Sequence, residues 1–177
     1  MSLSRQARGE QPASDTPRSP GGAFLLRPMI QELATIAATT VPGRDEGQSP
    51  LVVVDVDRGH TVDADAGTVR RVLGTIIRDA IEAASVLPPQ AMPPKLREVV
   101  ITSVCTADAV EIEIASSACD APETIGMSMA SARSVVERLG GRLLVHRCPE
   151  GGRAITVSFP QRRSSEQTSG GGLRRAA

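Results

Sequence analysis

The chain has 177 residues, with 20 basic and 20 acidic side chains and a formal net charge of zero. That length suits one domain with a single apolar core, and the balanced charge argues against non-specific nucleic-acid binding. There is no Trp or Tyr, and Phe24 and Phe159 are the only aromatics, so the core must be aliphatic and bases have no stacking platform.

Cys105, Cys119 and Cys148 are odd in number and lack C-x-x-C spacing. They therefore describe neither a disulfide framework nor a zinc site, and they fit a reducing cytoplasm. No apolar run reaches the roughly 18 residues of a membrane span, and the N-terminus has no signal-peptide core.

Residues 1–22 are rich in Ser, Pro, Gly and Arg and nearly free of apolar side chains, which predicts a disordered tail. The domain is expected over 23–160. Leu26, Met29, Ile30, Leu33, Ile36 and Ala37 recur at helical spacing and predict a helix over 23–39, with Pro28 in its first turn. A polar Gly/Pro loop follows over 42–50.

The run Leu51–Val56 is β-branched and bounded by Pro50 and Arg58-Gly59, which predicts a strand. Asp55 and Asp57 read as acids at its exit, with a metal pair as the alternative. His60 reads as a solvated turn residue.

From Asp65 to Ser85, Val69, Val72, Leu73, Ile76, Ile77, Ala80, Ile81 and Ala84 form one apolar stripe on a helix of about 20 residues. Asp65 stands at the N-cap position. Asp79 and Glu82 are three apart and share an edge of that helix. Pro88 and Pro89 stop it, and 88–95 reads as a stiff connector.

Strands are predicted over 98–105 and 109–116, joined by Thr106-Ala107-Asp108. In the second strand Val110, Ile112 and Ile114 point one way and Glu111 and Glu113 the other, as in a sheet with one buried and one wet face. Residues 117–126 read as a loop. A helix over 127–139 presents Met129, Ala132, Val135, Val136 and Leu139, and Gly140-Gly141 ends it. A hairpin then joins strands over 142–147 and 153–159, and 161–177 reads as a disordered tail. The resulting class is α+β: a two-layer sandwich, with three helices on one face of a mixed sheet of about five strands.

Two strings carry a resemblance, DAGTVRRVLGTIIRDAIEAAS and GMSMASARSVVERLGGRLLVHRCPEGGRAITVSFP. In order and spacing they resemble the ATP-binding catalytic domain of sensor histidine kinases, a Bergerat-type fold shared with gyrase and the MutL repair proteins. The resemblance implies ATP and Mg²⁺ as ligands. It implies a phosphoacceptor histidine domain or response regulator as partner, in bacterial two-component signalling.

The resemblance places the metal-holding asparagine of the family at Asp79, with Thr75 in place of a second asparagine, and Glu82 on the same edge. The family's adenine box, D-x-G-x-G, falls on Ser116, Ala118 and Asp120. Its second glycine box falls on Gly126 and Ser128, and Arg153 stands where a hydroxyl is usual, within reach of phosphate. The lid segment is short and no histidine sits in a phosphoacceptor motif. These departures imply weakened or lost ATP binding and no autonomous kinase activity. They leave a non-catalytic protein-interaction or phosphotransfer-partner module as the alternative.

Overall fold

The computed structural model describes residues 22–40, 49–85, 97–117, 127–148 and 151–161. The expected tails, except Gly22 and Gln161, lie outside them, as do the proline connector, Asp120 and Gly126.

The described chain contains β1 (Ala23–Leu25), α1 (Leu26–Thr40), β2 (Leu51–Asp55), β3 (Thr61–Asp63), α2 (Ala66–Ser85), β4 (Glu98–Cys105), β5 (Ala109–Ser116), α3 (Met127–Arg138), β6 (Arg142–Arg147) and β7 (Arg153–Pro160). Five strands form one sheet in the order β2-β4-β5-β7-β6, while β1 and β3 form a separate antiparallel pair. β2 runs parallel to β4 and the remaining pairs are antiparallel. The sandwich is thus α+β with a mixed five-stranded sheet, as the periodicities predict.

The sequence reading differs at two places. The expected helix over 23–39 begins only at Leu26, because Ala23–Leu25 pair with Thr61–Asp63 and the Leu26 amide donates to the His60 carbonyl at 3.0 Å. β3 itself is three residues long, too short to show an alternation of its own. Pairing with a distant segment decides both.

α2 follows its stripe closely. The eight apolar positions are all buried, and Asp65 caps the helix by accepting the Thr68 amide at 2.7 Å. α1 packs across α2, and Arg70 closes that contact with both Nη groups on Glu32, at 2.7 and 2.8 Å. This forked geometry holds the Glu32 carboxyl below its ordinary value, chiefly through the hydrogen bond from Arg70.

α3 ends as the glycine pair predicts. The Gly141 amide donates to the Val136 carbonyl and the Gly140 amide to the Glu137 carbonyl, with Gly140 at φ 77°. This is the paired-bond C-terminal cap that a left-handed residue permits.

The inner face of the sheet is a ladder of aligned rows. Val110 faces Phe159, Ile112 faces Val157 and Ile114 faces Ile155, all buried against the helices. One further row, Val99, Ser116, Arg153 and Arg147, closes the ladder. There the core turns polar. On the opposite face Glu111 and Glu113 are exposed, along with Leu51, Val104 and Leu144.

Candidate functional site

The polar row marks one end of the sheet, and the C-terminal end of α2 arrives at the same place. Arg97, just before β4, donates through Nη1 to the Ser85 carbonyl at 3.3 Å. The Glu98 amide donates to Ser117 Oγ at 2.9 Å, and the Ser117 amide returns a bond to the Glu98 carbonyl at 3.0 Å. The last turns of α2, the start of β4 and the end of β5 are therefore tied together.

Asp79 lies less than two turns before Ser85 on α2. Ser128, in the first turn of α3, donates through Oγ to Asp79 Oδ2 at 3.0 Å. The carboxylate expected to hold a metal thus faces the start of α3, and one of its oxygens accepts a protein hydroxyl. Glu82 is exposed, and its Oε1 lies 3.9 Å from Arg78 Nε along the outer side of α2. No hydrogen bond joins it to Asp79 or Ser128 among the described residues. Asp120 and Gly126 belong to the segment that is not described.

Ser116 is 5% exposed, and its Oγ has no hydrogen-bond partner among the described residues. Arg153 stands directly opposite it in the β5–β7 register, so the two side chains leave the same face. The buried Nε of Arg153 also lacks a partner among the described residues. Buried polar atoms normally find partners, and these two, on one cross-strand pair, have none among the described residues.

The close approach of the β6–β7 turn keeps this pair in register. Gly152 adopts φ 101°, and a Cβ there would collide with the Ser116 carbonyl oxygen. Only glycine accepts both conditions.

Two pairs result: Asp79 with Ser128 between α2 and α3, and Ser116 with Arg153 on the terminal row of the sheet. The residues fit an ATP–Mg²⁺ ligand in kind: a carboxylate is a hard oxygen donor for the metal, and the orphaned hydroxyl and guanidinium can meet a base or phosphate. Among the described residues, no cluster of three or more His, Cys, Asp or Glu side chains is placed to hold a metal by itself.

Sequence reasoning left one polar group misplaced. His60 is only partly solvated: it is half-buried, with Nδ1 2.8 Å from Ser103 Oγ. The turn before β3 folds back over β4, and no local signal announces that contact. His60 and Ser103 line a cleft of about 610 Å³ at the other end of the sheet, together with Arg27, Asp55, Asp57 and Arg58.

This sheet order and helix layer make an α+β sandwich with a mixed five-stranded sheet. No family profile matches the sequence, and no curated protein matches it. Solved structures supply the particular likeness. The catalytic domain of histidine kinase ThkA, in a nucleotide-free form, aligns with a TM-score of 0.62 at 18% identity, over 78% of this chain and 93% of that chain. Two further nucleotide-free forms of the same domain align with equal score and identity, over 94% and 95% of their chains. The chain has the fold of a histidine-kinase catalytic domain. No helix among the described residues is long and apolar enough to cross a membrane.

Proposed function

We propose that this chain is a nucleotide-binding module of the histidine-kinase type, binding Mg-ATP weakly and acting with a phosphoacceptor histidine domain or response regulator. The observation that carries this reading is the Asp79–Ser128 contact, which sets a metal-competent carboxylate against the first turn of α3. In this reading the nucleotide lies along the edge formed by Asp79, Glu82, Ser116, Asp120, Gly126 and Ser128.

Each residue has a physical task. Asp79 Oδ1, which makes no protein bond among the described residues, offers a lone-pair face to Mg²⁺. Bound Mg²⁺ would neutralise phosphate charge, which the carboxylate would otherwise repel. The first backbone amides of α3 would supply the donors of an anion site. Ser116 meets the base and Arg153 a phosphate. Weak affinity follows from Ser128 competing for one oxygen of Asp79, and from a neutral hydroxyl at position 116, which forms a weaker hydrogen bond than a carboxylate does.

Titration with a fluorescent ATP analogue, with and without Mg²⁺, tests this. Saturable, Mg-dependent binding that Asp79→Ala removes is the expected result. No binding up to about millimolar nucleotide, a free energy of only about −4 kcal/mol, would leave the other reading: a module that keeps the fold and works by protein contact. The exposed Leu51, Val104 and Leu144 on the open sheet face favour that second reading.

A further inference from the structure

The sheet face turned away from the helices is acidic and carries no counter-charge beside its acids. Glu98 alternates with buried Val99 on β4, and Glu111 and Glu113 alternate with buried Val110, Ile112 and Ile114 on β5, so all three leave the outer face. None of the three forms an ion pair among the described residues. Glu111 stands between Val104 and Ser158, and Glu113 between Thr102 and Thr156, so their cross-strand neighbours are neutral. The basic groups of this face, Arg142 and His146, sit on β6 at the sheet edge. Two strand spacings, about 10 Å, separate Arg142 from Glu111. Asp55 shares the row of Thr102 and Glu113, but it also lines the cleft that holds Asp57, Arg27 and Arg58, where the charges balance.

Exposed apolar side chains stand among these acids. Val104 lies directly beside Glu111, and Leu144 lies in the row of Glu113, beyond Thr156. A wet acidic face is ordinary in an antiparallel sheet. One whose acids meet only neutral neighbours keeps a negative field that a positive surface would neutralise.

We propose that this face docks a basic protein, with the partner's arginines on Glu111 and Glu113 and its apolar side chains on Val104 and Leu144. The inference gives a chemistry to the protein contact in the reading above and does not depend on nucleotide binding. A guanidinium fork matches a carboxylate in two parallel bonds. Charge complementarity of this kind sets encounter rate and partner choice, while the apolar contacts add burial. Nucleic acid and anionic lipid would be repelled. Five strands about 4.8 Å apart, the longest of eight residues, offer the footprint of a small, transient contact.

The test uses the full chain and fluorescence anisotropy of three labelled peptides: alternating arginine and leucine, arginine and serine, and glutamate and leucine. The arginine–leucine peptide is expected to bind saturably, and less well as salt rises. The arginine–serine peptide should be weaker by about threefold or more, and the glutamate–leucine peptide should not bind. Glu111→Gln with Glu113→Gln should weaken the arginine–leucine peptide by about tenfold. Glu137→Arg makes the same change in net charge on exposed α3 and should alter binding by less than about twofold. Glu111→Arg with Glu113→Arg should bind the glutamate–leucine peptide instead. Circular dichroism melts establish that each variant is folded.

Equal weakening by Glu137→Arg, or equal binding of the two arginine peptides, would overturn the docking surface in favour of diffuse attraction to charge. Self-association of the wild type in sedimentation, lost in the glutamine pair, would overturn it in favour of a second copy of this chain. Peptide binding as expected, with no binding of a fluorescent ATP analogue, would support this surface and strike the nucleotide reading alone.

Discussion

Ser128 Oγ lies 3.0 Å from Asp79 Oδ2, and this hydroxyl–carboxylate bond joins α2 to α3. The bond has two consequences that pull in opposite directions. It orients the carboxylate, and it occupies one of the oxygens that a metal would use. Ser128→Ala should therefore raise Mg-dependent nucleotide affinity by a small factor while lowering stability by about 1 kcal/mol, the net worth of one such bond. Asp79→Ala should lose both. Binding titrations paired with urea melts separate these effects. A Ser128→Ala protein with unchanged affinity would mean that Ser128 and the metal do not compete.

Ile77 is fully buried in the α2 stripe. Ile77→Asp should unfold the domain, because a carboxylate there would have no partner and no water. Ile77→Val should cost only about 1 kcal/mol, the usual effect of deleting one buried methyl group. Urea denaturation followed by circular dichroism measures both. Retained cooperative melting in the aspartate variant would show that residue 77 does not face the core.

Two glycines with positive φ should respond differently to alanine. At Gly140, φ is 77° and the nearest atom to an added Cβ is Pro160 Cγ at 3.6 Å, so the cost is conformational alone, about 1 kcal/mol. At Gly152, φ is 101° and the added Cβ meets the Ser116 carbonyl, so strain adds to a steric clash and the cost should reach about 2–3 kcal/mol. Gly152→Ala should also weaken nucleotide binding, since the strand end bearing Ser116 must shift. Equal melting temperatures for the two variants would argue against the close packing of the β6–β7 turn on β5.

Asp65 gives the domain an acid dependence of known sign. The hydroxyl and then the backbone amide of Thr68 hold its carboxyl below its ordinary value. A carboxyl whose folded value is depressed contributes its full stability above the unfolded value of about 3.9. That contribution disappears as pH falls through the lower, folded value. The stability gap between wild type and Asp65→Ala should therefore be constant near neutral pH and shrink below about pH 4. Glu32, held by Arg70, acts in the same direction. Melts across that range in moderate salt would detect it, and a gap that widened toward low pH would contradict the capping geometry.

Much of the fold is legible in the residue pattern. The stripe from Val69 to Ala84 specifies α2 and its buried face. The alternation from Val110 to Ile114 specifies a sheet wet on one side, and Gly140-Gly141 specifies where α3 stops. These signals are local: periodicity and cap chemistry act over a few residues, so a linear reading captures them. The strands Ala23–Leu25 and Thr61–Asp63 escape it because each is only three residues long and exists through the other.

The site divides along the same line. In the sequence, helix phase puts Asp79 and Glu82 on one edge of α2, while Asp79 and Ser128 become candidates for the site only through the resemblance to the kinase family. Only the tertiary structure decided that Ser128 bonds to Asp79 and that Ser116 and Arg153 meet in one row with their polar atoms unpaired among the described residues. Those relations depend on strand register and helix packing between residues 37 to 49 positions apart, and the free energy of such contacts leaves no periodic trace in the chain.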